Sequence, residues 1–452
     1  MGSCGGGTKR NTPTKKRKKT KKKKKITLSS SNGVKKKSQP LLLTCHHNNQ
    51  IAKLIPFLIS TANSVYSFLL RHDLHLLPKQ SLSLESLLAS TSISVSNLFS
   101  LLSLPPPLTV PHAANPPDSD CWFQRFLASA TSDSDSRWIH FFNLGKPSFT
   151  LLLRLLTPSL SSLFPLPPNY ALALALLRLA HGASYSAISR RFGLDSATAC
   201  RAFYAVCKAI NEKLGHLFEL KTDINRVIVG FGWISLPNCC GVLGLEKFEL
   251  DGDLMGENGY LIVQALVDSE GRFLDVSAGW PCTMSPVNIL RQSKLFSGIE
   301  ESKGYLNGPT FELNDGNSIP QYILGDSCLP LLPWLLTPYI KPVEDVDLSP
   351  TQAAFNSVHA RAMELVGTAF ERVRCRWKLV ANKWKGRCDE AFPFVIVACC
   401  LLHNFLIKCS ENLPDENVEY SRNQEFPVCD EALDDSGKRV RDVIASHLCL
   451  VS

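Results

Sequence analysis

Acidic residues are missing from the first 37 positions, which hold 15 Lys or Arg. The remaining chain has 34 basic residues against 40 acidic ones, so the formal charge of +9 belongs to one end and the body is negative by six. A body-wide basic face for nucleic acid is therefore not advertised by the total. Also missing is any glycine-rich phosphate loop, whether GxGxxG or GxxxxGK followed by Ser or Thr, so a nucleotide cofactor has no support. The 16 cysteines include no CxxC framework; they read as reduced thiols, several of them core fillers. The opening MGSCGGG has Gly6 where the myristoylation pattern needs Ser or Thr. No secretory apolar core follows the basic start. The longest charge-free stretch, residues 86–117, is rich in serine and broken by three consecutive prolines, so neither a membrane span nor a membrane partner is expected.

What is present begins with the basic end. KRNTPTKKRKKTKKKKK, followed by Lys35, Lys36 and Lys37, cannot bury apolar area, and residues 1–48 are expected to form a disordered basic tail. Nuclear import, non-specific phosphate binding and a solubilising arm compete as its use. Lys15, Lys16, Arg17, Lys18 and Lys19, then Lys21, Lys22, Lys23, Lys24 and Lys25, fit the import pattern best and predict a nuclear protein. Phosphate contact by the same lysines is compatible and would be salt-sensitive. Cys45, His46 and His47 stand alone, and a structural zinc needs four ligands, so a polar linker is the expected role.

A helix or helical pair is predicted over residues 50–75. Residues 76–118 read as a weakly ordered Ser- and Pro-rich linker with a short helix near 82–89. Residues 119–215 form a helical domain in which 169–212 show helix-turn-helix spacing: YALALALLRLAHG, then SYSAISRRFG, then LDSATACRAFYAVCKAINEKL, with Gly182 and Gly193 as stops and Asp195 or Ser196 as a cap. Arg190, Arg191, Thr198 and Arg201 fall on or near the side that would face DNA; a packing module with ordinary surface arginines is the alternative.

From about 240 the pattern turns to strands, in GVLGLEKFEL, GYLIVQALVDSEGRFLDVSAGW and QYILGDS, with DSEG as a hairpin turn. Helical spacing returns at 350–375, 390–408 and near 437–449, and residues 411–452 read as an acidic, then mixed, tail. Strands followed by helices imply an α/β sheet layered by helices over 236–410. Asp326, after a short apolar run, sits where such sheets place ligands, at the C-terminal end of a strand. One carboxylate does not hold the metal pair of phosphodiester chemistry, which draws acids from separate elements.

The series LPNCCGVLGLEKF, NGYLIVQALVDSEGRFLDVSAGWPC, LGDSCLPLLPWLLTPY, FNSVHARAMELVGTAFERVRCRW and CCLLHNF resembles the Harbinger (PIF-like) transposase-derived nucleases, and within them the domesticated plant Antagonist of Like Heterochromatin Protein 1 group. The resemblance covers residues 120–410. It implies a ribonuclease-H-like DDE core preceded by the helical domain and the basic tail, and an Asp, Asp, Glu triad using Mg²⁺ or Mn²⁺. Asp326 matches the second acid. Gly244 stands at the first position and Gly367 at the third, so two of the three acids are absent. Glu246 lies about 7 Å farther along the strand. Glu249, Asp251 and Asp253 read as a solvated acidic hairpin. Glu364 and Glu371 share the helix face of position 367 and are the possible substitutes, each displaced by most of a turn. Catalysis does not tolerate such slippage, so a protein acting by binding is expected, with no cofactor unless a divalent cation serves residual activity. The resemblance further implies a Myb/SANT-like companion protein and opposition to Polycomb repressive complex components. An active metal endonuclease and a helix-turn-helix DNA-binding protein are the alternatives. Asp268 reads as a turn-former, His403 and Asn404 as satisfied core residues, and Cys239 and Cys240 as unactivated thiols.

Overall fold

The computed structural model describes residues 39–102, 121–161, 166–218, 220, 224–251, 259–301, 305–313, 316–341, 347–386, 388–412 and 426–451. The import cluster and Asp253 lie outside them. Packing divides the chain into residues 1–57 and 58–452. In the first unit the described residues are helical, belonging to α1 (Gln39–His72); Cys45, His46 and His47 fall inside that helix, so residues 39–48 are helical where a disordered tail is expected.

The second unit continues with α2 (Pro78–Leu101) and the helices α3 (Trp122–Ser129), α4 (Arg137–Phe142), α5 (Lys146–Leu160), α6 (Pro168–His181), α7 (Tyr185–Phe192), α8 (Ser196–Leu214) and α9 (Ile224–Gly232). α2 corrects the expectation of a weakly ordered linker with a short helix. Its hydroxyls bond back one turn, Ser83 to Lys79 O at 2.8 Å, Thr91 to Leu87 O at 2.8 Å and Ser94 to Ser90 O at 2.9 Å. A serine-rich stretch thereby satisfies its own polar groups inside a helix. The trihelical reading matches the structure: Gly182 and Gly193 adopt φ of 64° and end α6 and α7, while Ser184 and Asp195 accept from Ala187 N and Thr198 N as caps.

The sheet half comprises β1 (Cys239–Glu249), β2 (Tyr260–Val267), β3 (Phe273–Pro281), α10 (Pro286–Gln292), α11 (Lys294–Glu300), β4 (Phe311–Glu312), β5 (Ser318–Ile319), β6 (Tyr322–Gly325), β7 (Leu335–Leu336), α12 (Pro350–Arg376), α13 (Lys378–Ala381), α14 (Phe392–Lys408) and α15 (Asp435–Val451). The order in the main sheet is β3-β2-β1-β6-β7. The first three strands form an antiparallel meander; β1 to β6 and β6 to β7 are parallel. Asp268 makes the β2–β3 turn as read: its carboxylate accepts from Glu270 N, Arg272 N and Arg272 Nε at 2.8–2.9 Å.

β1 is buried along almost its whole length. α12 lies on its even-numbered face, burying Phe355, Val358, Ala362, Val366, Ala369, Phe370 and Val373 at the spacing of one helical stripe. α14 is buried nearly all round and packs against both β3 and α8. One hydrophobic core therefore runs through the helical and sheet segments, from Cys121 to Leu448. Asn49–His72 and Asp389–Lys408 are apolar and long enough to cross a membrane by length and composition, and the second is the largely buried α14 with the turn before it. The helix expected near 437–449 is present as α15, and the tail reading is corrected over 426–451 because α15 packs on α12, with Ile444, Ala445 and Leu448 buried.

Candidate functional site

Asp326 follows β6 directly. Its Oδ1 accepts from Ser327 N at 2.6 Å and Ser327 Oγ at 3.2 Å, and its carbonyl accepts from Leu329 N at 3.0 Å, closing a turn. In the parallel register Val242 faces Leu324 and Leu243 faces Gly325, so the next step along both strands brings Gly244 beside Asp326. α12 closes this corner from one face. His359, 4% exposed, bonds through Nε2 to Gly325 O at 2.9 Å. Two turns later Val366 meets Gly244: a Cβ built on Gly244 would lie 3.0 Å from Val366 Cγ1. Gly367 is the next residue on the helix. The strand and the strand end thus meet under α12 at Val366 and His359, with Asp326 the one carboxylate among Gly244, Asp326 and Gly367.

The possible substitutes are otherwise engaged or placed. Glu246 shares the face of Gly244 but is buried in an ion pair with Arg374 at 2.8 Å. Arg374 also donates to Lys247 O at 2.9 Å and stacks 4.5 Å over Phe248. Glu364 is exposed. Glu371 is half-buried and accepts from Cys375 Sγ at 3.5 Å. Glu249 is exposed, and Asp251 pairs with Lys383 at 3.6 Å. A DDE nuclease site needs carboxylates from separate elements to share divalent cations. Among the described residues no group of three or more His, Cys, Asp or Glu side chains is arranged to hold a metal. The residues present do not fit the ions of such a site.

Nearby groups carry structural roles. His403 is 2% exposed and bonds to Gly271 O at 3.0 Å; burial lowers its pKa to about 4, keeping it neutral. Asn404 spans the β3 start, accepting from Phe273 N and donating to Phe273 O and Leu217 O. Burial pushes the Cys240 thiol up to about 12 and Cys239 beyond it, so neither is an activated thiolate.

In the helical module, Arg191 is 4% exposed, pairs with Glu85 of α2 at 3.0 Å, donates to Ser81 Oγ at 2.7 Å and lies 5.1 Å over Trp122. Arg190 reaches the same Glu85 at 3.1 Å. Thr198 is held by Asp195 at 2.6 Å, and the exposed Arg201 donates to Thr198 Oγ1 at 2.9 Å. Arg191 therefore has a packing role. The sequence signal for it was available only with α2 in place, because its partner lies more than a hundred residues earlier. His359 was also missed, being one apolar-face histidine among several.

A model of the DDE superfamily endonuclease family matches residues 257–404, a span that includes Asp326 and Gly367 and begins after Gly244. Protein ALP1-like of Arabidopsis thaliana is 31% identical over 302 residues, 63% of this chain and 72% of that protein. Protein Antagonist of Like Heterochromatin Protein 1 of the same plant is 27% identical over 358 residues, 72% of this chain and 87% of its own. Putative nuclease HARBI1 of Homo sapiens is 22% identical over 231 residues, 48% of this chain and 60% of that one. No solved structure matches significantly. With a sheet, strand end and helix meeting at Asp326 and relatives of this extent, the chain belongs to the Harbinger-type, transposase-derived family of DDE superfamily endonucleases.

Proposed function

We propose that this transposase-derived protein acts in the nucleus by binding rather than by cutting, as a chromatin regulator that opposes Polycomb-type silencing. The observation that carries this reading is that Gly244 and Gly367 supply no oxygen ligand beside Asp326, while a Cβ at 244 would press on Val366 at 3.0 Å. The strand order β3-β2-β1-β6-β7, antiparallel then parallel, supports a ribonuclease-H-like core retained as a scaffold. The name of one relative, an antagonist of Like Heterochromatin Protein 1, supports the chromatin setting. Lys15 to Lys25 support nuclear import. Polycomb repressive complex components and a Myb/SANT-like companion are the partners the family resemblance implies.

The test is incubation of the purified chain with supercoiled DNA in Mg²⁺ or Mn²⁺, beside affinity purification from nuclei. The DNA should stay intact, and Asp326→Ala should leave the recovered partners unchanged. Metal-dependent nicking that Asp326→Ala abolishes would overturn the proposal.

A further inference from the structure

The segment beginning at Phe426 returns to the end of β6 and brings Cys429 to the turn that carries Cys328. The Cys429 amide donates to the Ser327 carbonyl at 2.9 Å. A carbonyl oxygen lies about 2.8 Å from the next Cα and an amide nitrogen about 1.5 Å from its own, so the Cα atoms of Cys328 and Cys429 are at most about 7 Å apart. Disulfides join Cα atoms about 4.4–6.8 Å apart, a range inside that bound.

Both cysteines are free; Cys328 is 2% exposed, while Cys429 is half-buried. Burial pushes the Cys328 thiol well up, with Asp326 and then Cys429 adding to the effect, so the two sulfurs lie near enough to sense one another. Cys207 and Cys399 are neighbours in the same sense, but both are fully buried and offer an outside oxidant no thiolate.

We propose that Cys328 and Cys429 are a modification site, closing to an intramolecular disulfide that ties the C-terminal segment to the turn carrying Asp326. The half-exposed Cys429 thiolate attacks a low-molecular-weight disulfide, RSSR, giving Cys429–S–SR and RS⁻. Cys328 then gives up its proton as its sulfur attacks the Cys429 sulfur; the second RS⁻ leaves and takes that proton. Two thiols become one disulfide, and RSSR is reduced to two RSH. The order follows from exposure, since Cys328 reacts only with a sulfur already beside it.

The experiment treats the full chain with oxidised glutathione under native conditions, blocks free thiols, and digests it without reduction for mass spectrometry. A peptide pair joined through Cys328 and Cys429, two hydrogens lighter than the sum, is expected. It should vanish in Cys429→Ser, where Cys328 stays blocked to alkylation until denaturant is added. In Cys328→Ser, Cys429 should be trapped as the glutathione adduct. The oxidised wild-type chain should also melt several degrees above the reduced one, with no such rise in either variant. Recovery of Cys328 and Cys429 as separate peptides from the oxidised wild type, or Cys429 joined to another cysteine, would overturn the proposal.

Discussion

At position 244 the missing side chain carries as much information as the Asp326 carboxylate that remains. Val366 is β-branched on a helix, where one rotamer dominates, so it does not swing away from a new Cβ at 3.0 Å. Gly244→Ala is expected to lower stability by about 1–2 kcal/mol, read as a shift in the denaturant midpoint at constant slope. Gly244→Asp should cost more, and adding Val366→Ala should return part of the loss non-additively, as contacting residues do. A second residue-scale prediction concerns Asp275 on β3. Burial raises its pKa from 3.8 to about 6 against the pull of Lys294. The folded state therefore binds a proton more readily than the unfolded chain between about pH 4 and 6, and this group's contribution weakens as pH rises through that window. Asp275→Asn should stabilise the protein by about 1–2 kcal/mol at pH 7.5, with the gain fading below pH 5. His403 has the opposite sign: its pKa falls from 6.5 to about 4 through burial, so stability present above pH 6.5 is lost as pH drops toward 4. Melting curves of wild type and of Asp275→Asn across pH 4–8 separate the two groups, since the His403 dependence is common to both proteins.

At the scale of elements, α2 decides what the trihelical module presents. Glu85 pairs with Arg191, which is 4% exposed, and with Arg190, which is 42% exposed. Glu85→Ala strands a buried guanidinium and is expected to cost about 2–4 kcal/mol, whereas Arg190→Ala should cost under about 1 kcal/mol. Equal effects would mean that Arg191 escapes to solvent when Glu85 is removed. The same helix shows where legibility ends. α6, α7 and α8 announce themselves through Gly182, Gly193, Ser184 and Asp195, residues whose conformational reasons act within a turn. α2 does not, because its serines look like linker until their hydroxyls are seen to bond back to the preceding turn. α9, α10 and α11 are short, with α9 packed on β1 and α10 on α11, so local spacing gave no notice of them.

For the whole molecule, the C-terminal residues belong to the fold. Phe426 lies under Lys247 of β1 at 4.5 Å, Glu431 pairs with Arg291 of α10 at 2.8 Å, and Arg441 donates to Thr337 O at 2.9 Å. Removal of residues 426–452 should expose the α12 face under Ile444 and Leu448 and yield a chain that aggregates or melts at least several degrees lower. A truncated protein with unchanged melting would refute this role. The sequence split this region off because an acidic stretch precedes it, and no local pattern reports docking onto a helix about eighty residues upstream. Asp326 was legible for a different reason: a carboxylate closing an apolar strand is a local signature. Its relation to Gly244 was legible only through the family resemblance, since a parallel pairing across more than seventy residues leaves no trace in either strand alone.

The packing of Val366 on Gly244 also has an evolutionary reading. An aspartate regained at 244 would enter an occupied space and lower stability before any metal ligand set existed to reward it. A glutamate regained at 367 would have a single partner, Asp326. Under the proposed loss of chemistry, restoring both acids needs two substitutions, Gly244→Asp and Gly367→Glu, and the first also has to displace Val366 by a few tenths of an ångström. Under the binding function proposed here, such a contact works as a ratchet: each step back toward the acids carries a packing cost before it brings any gain.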